Sequence, residues 1–236
     1  MKRKINTINK LLVEHFGIPP RSKNLPDPMD LLIATILSQN TNDKNSYKAF
    51  KNLKEKYKKW EDVAHQTQPL IEKLIKVAGL GKQKSTAIKN LLSGLFKSNG
   101  KISLNHIKKL SDEEILDELT SYNGIGIKTA SCVLLFSLDR NICPVDTHVH
   151  RTLNRIGLVN TSSPDKTFNS LSGNLPPKTA HQFHTNLIRL GREICKAQKP
   201  GCFICPLKKK CAFTDKNLEK ITSSKESRFM LLDSIK

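Results

Sequence analysis

The sequence has no long apolar segment near its start. The opening residues MKRKINTINKLL begin basic and turn polar again within a few positions, whereas a secretory signal or a membrane span needs a sustained apolar run. We therefore expect no signal peptide, no transmembrane segment and a cytoplasmic location. Disulfides are rare in such a reduced compartment, so the cysteines of this chain need another explanation.

Acidic residues are also scarce. The chain of 236 residues carries 40 Lys and Arg against 21 Asp and Glu, which is a formal net charge of +19. Such an excess attracts polyanions, and nucleic acid is the first candidate. The alternative is that the lysines simply decorate solvated faces. Because the lysines are spread along the chain, no basic tail accounts for the whole excess.

Strand patterns and repeats are absent as well. No stretch alternates apolar and polar residues over a sustained length, and no motif recurs at a fixed period. Apolar residues instead recur at helical spacing, as in the stripe Ile8, Leu12 and Phe16. Helix starts are marked by Asp27 before a proline and by a capping box at Ser111. The sequence therefore predicts an all-α fold of roughly ten helices.

Cysteine is rare except in one short segment. Four of the six cysteines lie in CKAQKPGCFICPLKKKC, with the spacing C-x6-C-x2-C-x5-C: Cys195, Cys202, Cys205 and Cys211. Clustered thiols in a reduced compartment bind metal more often than they form disulfides. Zinc sites and iron–sulfur clusters both use C-x2-C, so the residues alone leave both groups open.

A glycine-containing turn separates two helical patterns in YNGIGIKTA. Asn123-Gly124-Ile125-Gly126 is a turn signal, so the segment reads as a helix–hairpin–helix. Glycines let the backbone approach a ligand closely, and the second helix begins with free N–H groups at the positive end of its dipole. This arrangement binds phosphate. The alternative is that the turn merely connects two helices.

Lys128 follows this turn and falls in the first turn of the next helix, where a cation opposes the helix dipole. A free lysine has a pKa of ~10.4 and is protonated at neutral pH. A helix N-terminus and nearby cations lower that pKa and free the amine for covalent catalysis. The alternative is a lysine that contacts phosphate or is merely solvated.

Asp146 stands eighteen residues further on, in CPVDTHVHR. It is well placed to cap a helix that begins at Thr147, and this cap is the simplest interpretation. Backbone N–H groups and the helix dipole would also keep the carboxylate ionised, and an ionised carboxylate stabilises positive charge that develops on a sugar. An amine nucleophile with a carboxylate suits attack at an anomeric carbon.

Three segments in order carry a family resemblance. NGIGIKTA, then PVDTH, then LGREIC leading into the four cysteines resemble endonuclease III, the iron–sulfur branch of the helix–hairpin–helix DNA glycosylases. LLIATILSQNTNDKN extends the match, which runs from about residue 5 to Cys211. The resemblance implies a structural 4Fe–4S cluster held by Cys195, Cys202, Cys205 and Cys211.

The resemblance also implies two helical domains with the active site in the cleft between them. We expect a six-helix domain over residues 23–133 that contains the hairpin, and a cluster domain made of residues 1–22 and 134–236 with a C-terminal tail. Lys128 and Asp146 would then face each other across the cleft. We expect the protein to act as a monomer.

The implied activity is base-excision repair of double-stranded DNA, with removal of oxidised pyrimidines. Lys128 would attack C1′ of a flipped nucleotide and form a Schiff base, and β-elimination at abasic sites would follow. Asp146 would support the transition state and help to deprotonate the amine. Alternatives are a glycosylase of the same fold for alkylated purines or uracil/thymine mismatches, and a non-catalytic iron–sulfur DNA-binding protein.

Several residues are expected to contact DNA. Gln39 or Asn40 would fill the space left by the flipped base, and Gly124 and Gly126 would approach the backbone. The loop stapled by the cluster would present basic residues to phosphates: Lys196, Lys199, Lys208, Lys209 and Lys210.

The chain departs from the family pattern at three points. Tyr122 and Asn123 stand where Leu-Pro is common, Ile127 precedes the lysine in place of arginine, and His150 replaces an apolar or aromatic residue. These departures leave the lysine and the carboxylate in place, but they leave open which base is removed.

Overall fold

The computed structural model describes residues 1–219 together with 232 and 235. The described residues contain no β-strand, which confirms the all-α fold. No described helix combines the length and apolar character that crossing a membrane requires. Among these residues we number eleven α-helices in chain order: α1 Lys2–Phe16, α2 Pro28–Ser38, α3 Asp43–Lys56, α4 Trp60–Ala64, α5 Gln68–Ile75, α6 Gly81–Asn99, α7 Asp112–Ser121, α8 Ile127–Ser137, α9 Thr147–Ile156, α10 Pro164–Leu171 and α11 Ala180–Arg189.

The chain divides into two compact units. One contains Met1–Arg21 and the described chain from Arg140 to residue 219, and the other contains residues 22–139. The domain boundaries expected from the sequence stay a prediction, because compactness does not show that a unit folds independently. The expected tail of the cluster domain lies outside the described residues from 220 on, apart from positions 232 and 235.

Two helices that are buried almost all round form the core of the unit made of residues 22–139. α2 begins at Pro28 and is capped by Asp27, whose carboxylate accepts the N–H groups of Met29 and Asp30. α2 packs against α3 and α8, and nearly all of its side chains are buried, as are those of α8. A helix without a polar face is a core helix, and burial of each Leu or Ile stabilises the fold by about 1.5–3 kcal/mol.

The hairpin of this unit rests on α6. α7 begins with the predicted capping box, in which Ser111 and Glu114 bond each other's backbone N–H groups. Its C-cap is Tyr122, whose ring lies directly over Gly94 of α6. A Cβ added at Gly94 would lie 2.5 Å from that ring, so the glycine that interrupts the helical pattern makes room for Tyr122.

The other unit is organised around α1, α9, α10 and α11. Ile5, Ile8 and Leu12 of α1 are buried, and α1 packs against α11. The guanidinium of Arg189 lies 4.5 Å above the Phe16 ring and donates to the Phe16 carbonyl at 3.0 Å. The predicted apolar stripe of the first helix therefore faces the core of this unit.

Gly94→Ala should destabilise the protein, although alanine in place of glycine stabilises an exposed helix by about 1 kcal/mol. The added methyl overlaps the Tyr122 ring, and overpacking of this kind costs about 1–3 kcal/mol. Chemical denaturation measures the change. Ser93→Ala, at an exposed neighbouring position, is the control and should lie within about 0.5 kcal/mol of wild type. In a Tyr122→Leu background, Gly94→Ala should lose its penalty; a penalty of unchanged size would contradict the packing argument.

Candidate active site and cysteine loop

The hairpin between α7 and α8 needs glycine at one position for two reasons. Gly124 has φ +93°, and a Cβ there would lie 2.7 Å from the Ala87 methyl, so only glycine allows this close approach to α6. Gly126 differs, since a Cβ would meet nothing within 4 Å. The backbone at Gly126 is therefore open to a ligand at the point where α8 begins.

Lys128 is the second residue of α8 and is half-buried. Gly126 is the N-cap, and its carbonyl accepts the N–H groups of Thr129 and Ala130. The N–H groups at the very start of a helix lack intrahelical acceptors and carry partial positive charge. No acidic residue lies in this first turn, so an anionic group can approach the same helix end that carries the Lys128 amine.

Of the two candidates at the end of α2, only Gln39 is bonded to the hairpin. Its Nε2 lies 3.4 Å from the Gly124 carbonyl oxygen and 3.4 Å from Thr129 Oγ1. Asn40 is exposed and adopts the left-handed conformation, with φ +48°. Where the sequence left Gln39 and Asn40 as alternatives, the structure brings Gln39 to the hairpin.

A groove of about 670 Å³ runs beside the hairpin, lined by residues of α5, α6 and the turn, including Leu80, Ala87, Asn123 and Gly124. Leu80 is 48% exposed and has φ +51°, which is a strained conformation for a residue other than glycine. No motif in the sequence predicts a role for Leu80. An apolar residue between two glycines, Gly79 and Gly81, was the available signal.

Asp146 is the N-cap of α9, as the sequence predicts. Its Oδ1 accepts the Val149 N–H at 2.8 Å, and the side chain is half-buried. Burial lowers the pKa of neighbouring His148; the Asp146 charge opposes this shift, and the charges of Arg151 and Arg192 add to it. His148 is therefore disposed to be neutral beside an anchored carboxylate.

His150, which departs from the family pattern, belongs to a polar cluster within its own unit. Its Nδ1 lies 2.7 Å from Thr167 Oγ1 of α10 and 3.2 Å from the Asn154 amide nitrogen. Thr161 completes the cluster through Thr167. His150 thus links α9 to α10.

The segment that carries the four cysteines follows a change in helix geometry. α11 gives way to a π-helical turn over Leu190–Ile194, and a short 3₁₀ turn spans Cys202–Ile204. Such π turns are rare in proteins as a whole, and those that occur are often found at functional sites. A Cβ at Gly191 would lie 2.8 Å from His148 Cβ, so this glycine lets the turn pack closely on α9.

Two arginines of α9 hold the start of the cysteine loop. Arg151 donates to the carbonyl of Gly191 at 2.9 Å and to that of Cys195 at 2.9 Å. Arg155 donates to the carbonyls of Lys196 and Ala197, and its Nη1 lies 3.6 Å from Cys195 Sγ. The helix capped by Asp146 is therefore tied to the loop by four carbonyl contacts.

The four thiols of the loop form no disulfide, and each of the other three thiols contributes to the pKa of Cys205. Burial raises the pKa of Cys205 to about 11, and the Leu207 N–H opposes this shift, whereas Cys195, Cys211 and Cys202 raise the pKa further. Burial likewise raises the pKa of Cys211. Among the described residues no group of three or more His, Cys, Asp or Glu side chains has the arrangement that would hold a metal ion.

The basic residues expected to touch DNA differ in exposure. Lys196, Lys199, Lys209 and Lys210 are exposed. Lys208 is half-buried, and its ammonium lies 5.2 Å from the centre of the Phe203 ring and 3.3 Å from the Phe203 carbonyl oxygen. The run Lys208–Lys210 is therefore not a uniform patch.

Comparison with known proteins agrees with these features. Endonuclease III of Thermotoga maritima is 35% identical over 89% of this chain and 92% of its own length. A putative DNA glycosylase of Arabidopsis thaliana is 38% identical over 71% of this chain, which spans 57% of that protein. Two solved structures of Endonuclease III, a non-covalent DNA complex and a trapped covalent DNA intermediate, each match with a TM-score of 0.76 and 28% identity. Each match covers 90% of this chain, and the matches cover 95% and 96% of the two solved chains.

The family model described as HhH-GPD superfamily base excision DNA repair protein matches residues 33–177, which is more than half of the chain. This range contains the hairpin, Lys128 and the Asp146 cap. The chain belongs to the HhH-GPD superfamily of base excision DNA repair proteins.

Proposed function

We propose that the protein is a DNA N-glycosylase with AP lyase activity that removes oxidised pyrimidines from double-stranded DNA. The observation that carries the proposal is Lys128 in the first turn of α8, directly after a hairpin whose backbone is open at Gly126. A helix N-terminus binds phosphate, and an amine beside it can reach the sugar of the same nucleotide. The Endonuclease III relatives support this reading.

In the proposed reaction the damaged nucleotide is flipped out of the duplex. The neutral amine of Lys128 attacks C1′, the C1′–N bond breaks, and the base leaves with the bonding electrons and takes up a proton. The nitrogen then loses one of its two protons, the C1′–O4′ bond breaks and O4′ takes up a proton, which gives a protonated Schiff base between Lys128 and C1′. Removal of a C2′ proton then expels the 3′ phosphate, which nicks the strand.

We propose that Asp146 acts on the same nucleotide. Its carboxylate is anchored by the Val149 N–H at the N-terminal end of α9, which is the positive end of the helix dipole. A fixed negative charge stabilises the positive charge that develops on the sugar as the base departs. The carboxylate can also accept a proton from the attacking amine.

We propose that Gln39 and Leu80 occupy the space vacated by the flipped nucleotide. Gln39 is bonded to the hairpin through Gly124, and its amide can pair with an orphaned base. Leu80 presents an exposed apolar side chain in a strained conformation, of the kind that proteins insert between base steps. Asn40 is the weaker candidate.

We propose that Cys195, Cys202, Cys205 and Cys211 hold a 4Fe–4S cluster, a four-iron group that needs a wider arrangement of thiolates than the single metal ion for which no described group is arranged. The four thiols are free and influence one another's protonation, and a cluster takes one thiolate for each iron. When bound, the group would supply structural support rather than chemistry. It would rigidify the loop that carries exposed Lys196, Lys199, Lys209 and Lys210, whose contacts with phosphates would release counterions; Lys208 would contribute less.

Duplexes that each carry one lesion should be nicked when the lesion is an oxidised pyrimidine or an abasic site, and borohydride should trap the protein on the abasic duplex. Lys128→Gln removes the amine, so nicking and trapping should both disappear while binding remains. Gel analysis of the oligonucleotides measures both activities. Lys51→Gln, on the exposed face of α3, is the matched control and should keep them. Trapping by the Lys128→Gln variant would assign the chemistry to another amine, and preferential nicking at alkylated purines or mismatches would overturn the proposed substrate.

Asp146→Asn should slow base release by about 2.7–4 kcal/mol of lost charge stabilisation, or roughly two to three orders of magnitude. Asparagine also caps helices, so α9 and the protein's stability should be preserved. Single-turnover base release and thermal unfolding are the two measurements. Asp146→Ala should lose the cap as well and unfold at lower temperature. An Asn variant with wild-type base release would show that Asp146 only caps α9.

Purified protein should be yellow-brown and contain iron and sulfide. Cys202→Ser should lower the folded yield sharply, because free energy of metal binding contributes to folding. Metal analysis, visible absorption and yield check this prediction. Cys132→Ser alters a buried cysteine outside the loop and should leave the iron content unchanged. A colourless protein that contains zinc would show that the four cysteines hold zinc and not an iron–sulfur cluster.

A further inference from the structure

Lys84 is a lysine inside the core of the unit formed by residues 22–139. Its side chain is only 1% exposed, and its ammonium donates to the carbonyl of Leu37 at 2.8 Å and to that of Ala78 at 2.8 Å. The two carbonyls lie 47 and 6 positions away in the sequence. One side chain therefore joins two separate segments of the backbone.

The two carbonyls belong to the C-terminal ends of two helical segments. Leu37 lies in the last turn of α2, which has no basic residue of its own there. Ala78 ends a short 3₁₀ turn over Lys76–Ala78. Carbonyls at such ends carry partial negative charge and lack partners within the helix, so the ammonium supplies both with a donor and a compensating charge.

The same residue also fixes the start of α6. The Lys84 backbone N–H donates to the Leu80 carbonyl at 3.0 Å, and Leu80 is the N-cap of α6. Lys84 thus contacts the backbone on both sides of Gly79 and, through Leu37, the backbone two residues before Gln39. The Gln39 and Leu80 segments share this one anchor.

Stability alone does not account for a charged group at this place. Burial of an ammonium carries a desolvation cost of several kcal/mol, and apolar replacement of buried charges is often neutral or stabilising. Burial lowers the pKa of Lys84 to about 8, which reflects that cost. The buried ammonium of Lys84 is best explained by the spacing that its two hydrogen bonds impose on the backbone at Leu37 and Ala78.

We propose that Lys84 is a positioning residue that sets the spacing between Gln39 and Leu80, and through it the recognition of a duplex from which a nucleotide has been flipped. This inference rests on the proposed function, since it assigns Gln39 and Leu80 to the vacated space. Lys84 itself does not touch DNA, because its side chain is buried.

The chain contains a matched comparison on the same helix. Lys89 of α6 donates to the carbonyls of Ala64 and Gln66 at 2.7 and 2.8 Å. It therefore makes the same kind of two-carbonyl bridge, but at the end of α4, which carries no proposed site residue. Loss of either bridge removes two bonds to carbonyls, but of the two bridges only that of Lys84 anchors the segments that carry Gln39 and Leu80.

The test compares Lys84→Met with Lys89→Met in the full-length protein. The probes are an undamaged duplex and the same duplex with a tetrahydrofuran abasic analogue. The measured ratio is the dissociation constant for the undamaged duplex divided by that for the abasic duplex. A misplacement of about 1 Å can cost about a hundredfold in the rate of an enzyme, and we expect displacement of Gln39 and Leu80 in Lys84→Met to lower the binding ratio by about tenfold or more. Lys89→Met should keep the ratio, and thermal unfolding of both variants is measured so that a change in stability is not mistaken for a change in the ratio. If Lys84→Met does not fold, Lys84→Gln, which retains an amide donor, takes its place.

A double-mutant cycle with Gln39→Ala shows whether Lys84 acts through Gln39. Residues that act through one another give non-additive effects on the ratio, whereas the effects of independent residues combine to within about a factor of two. In the Gln39→Ala background, the effect of Lys84→Met on the ratio should shrink several-fold, and that of Lys89→Met should stay absent. Additive effects, or a wild-type ratio in Lys84→Met, would overturn the inference. A wild-type protein that binds both duplexes equally would instead contradict the proposed function.

Discussion

The close approach of the hairpin to α6 is the constraint on which the candidate active site depends. Gly124 lies where any side chain would collide with Ala87, so the backbone alone fills the space. Because the hairpin is held there, the Gly124 carbonyl comes within reach of Gln39. α8 then begins with an open backbone at Gly126, and Lys128 takes its position from that helix start.

The position of Asp146, the candidate carboxylate, also depends on a glycine within its own unit. Gly191 lets the π-helical turn pack against His148, and Arg151 closes this contact by binding the carbonyls of Gly191 and Cys195. The helix that Asp146 caps is therefore tied to the cysteine loop. A change in the order of the loop would therefore act on this helix through the hydrogen bonds that Arg151 and Arg155 donate to the loop carbonyls.

The lysines of this chain do several different things. Lys84 and Lys89 serve as internal partners for helix-end carbonyls, and Lys208 lies over Phe203. Lys209 and Lys210 are exposed and free to meet a polyanion. The net charge of +19 points to nucleic acid, but a charge count treats these roles as equivalent.

The sequence by itself determined the features that depend on near neighbours. The all-α fold follows from helical periodicity, and the caps at Asp27, Ser111 and Asp146 involve partners within three residues, so local chemistry specifies them. The motif order was also sufficient to identify the family. Tertiary structure decided the rest: that Gln39 and not Asn40 is bonded to the hairpin, that Leu80 is exposed beside it, and that Lys84 is buried. These outcomes join residues 47 and 85 positions apart, and a linear pattern does not encode which carbonyl a distant ammonium or amide will reach once the helices have packed.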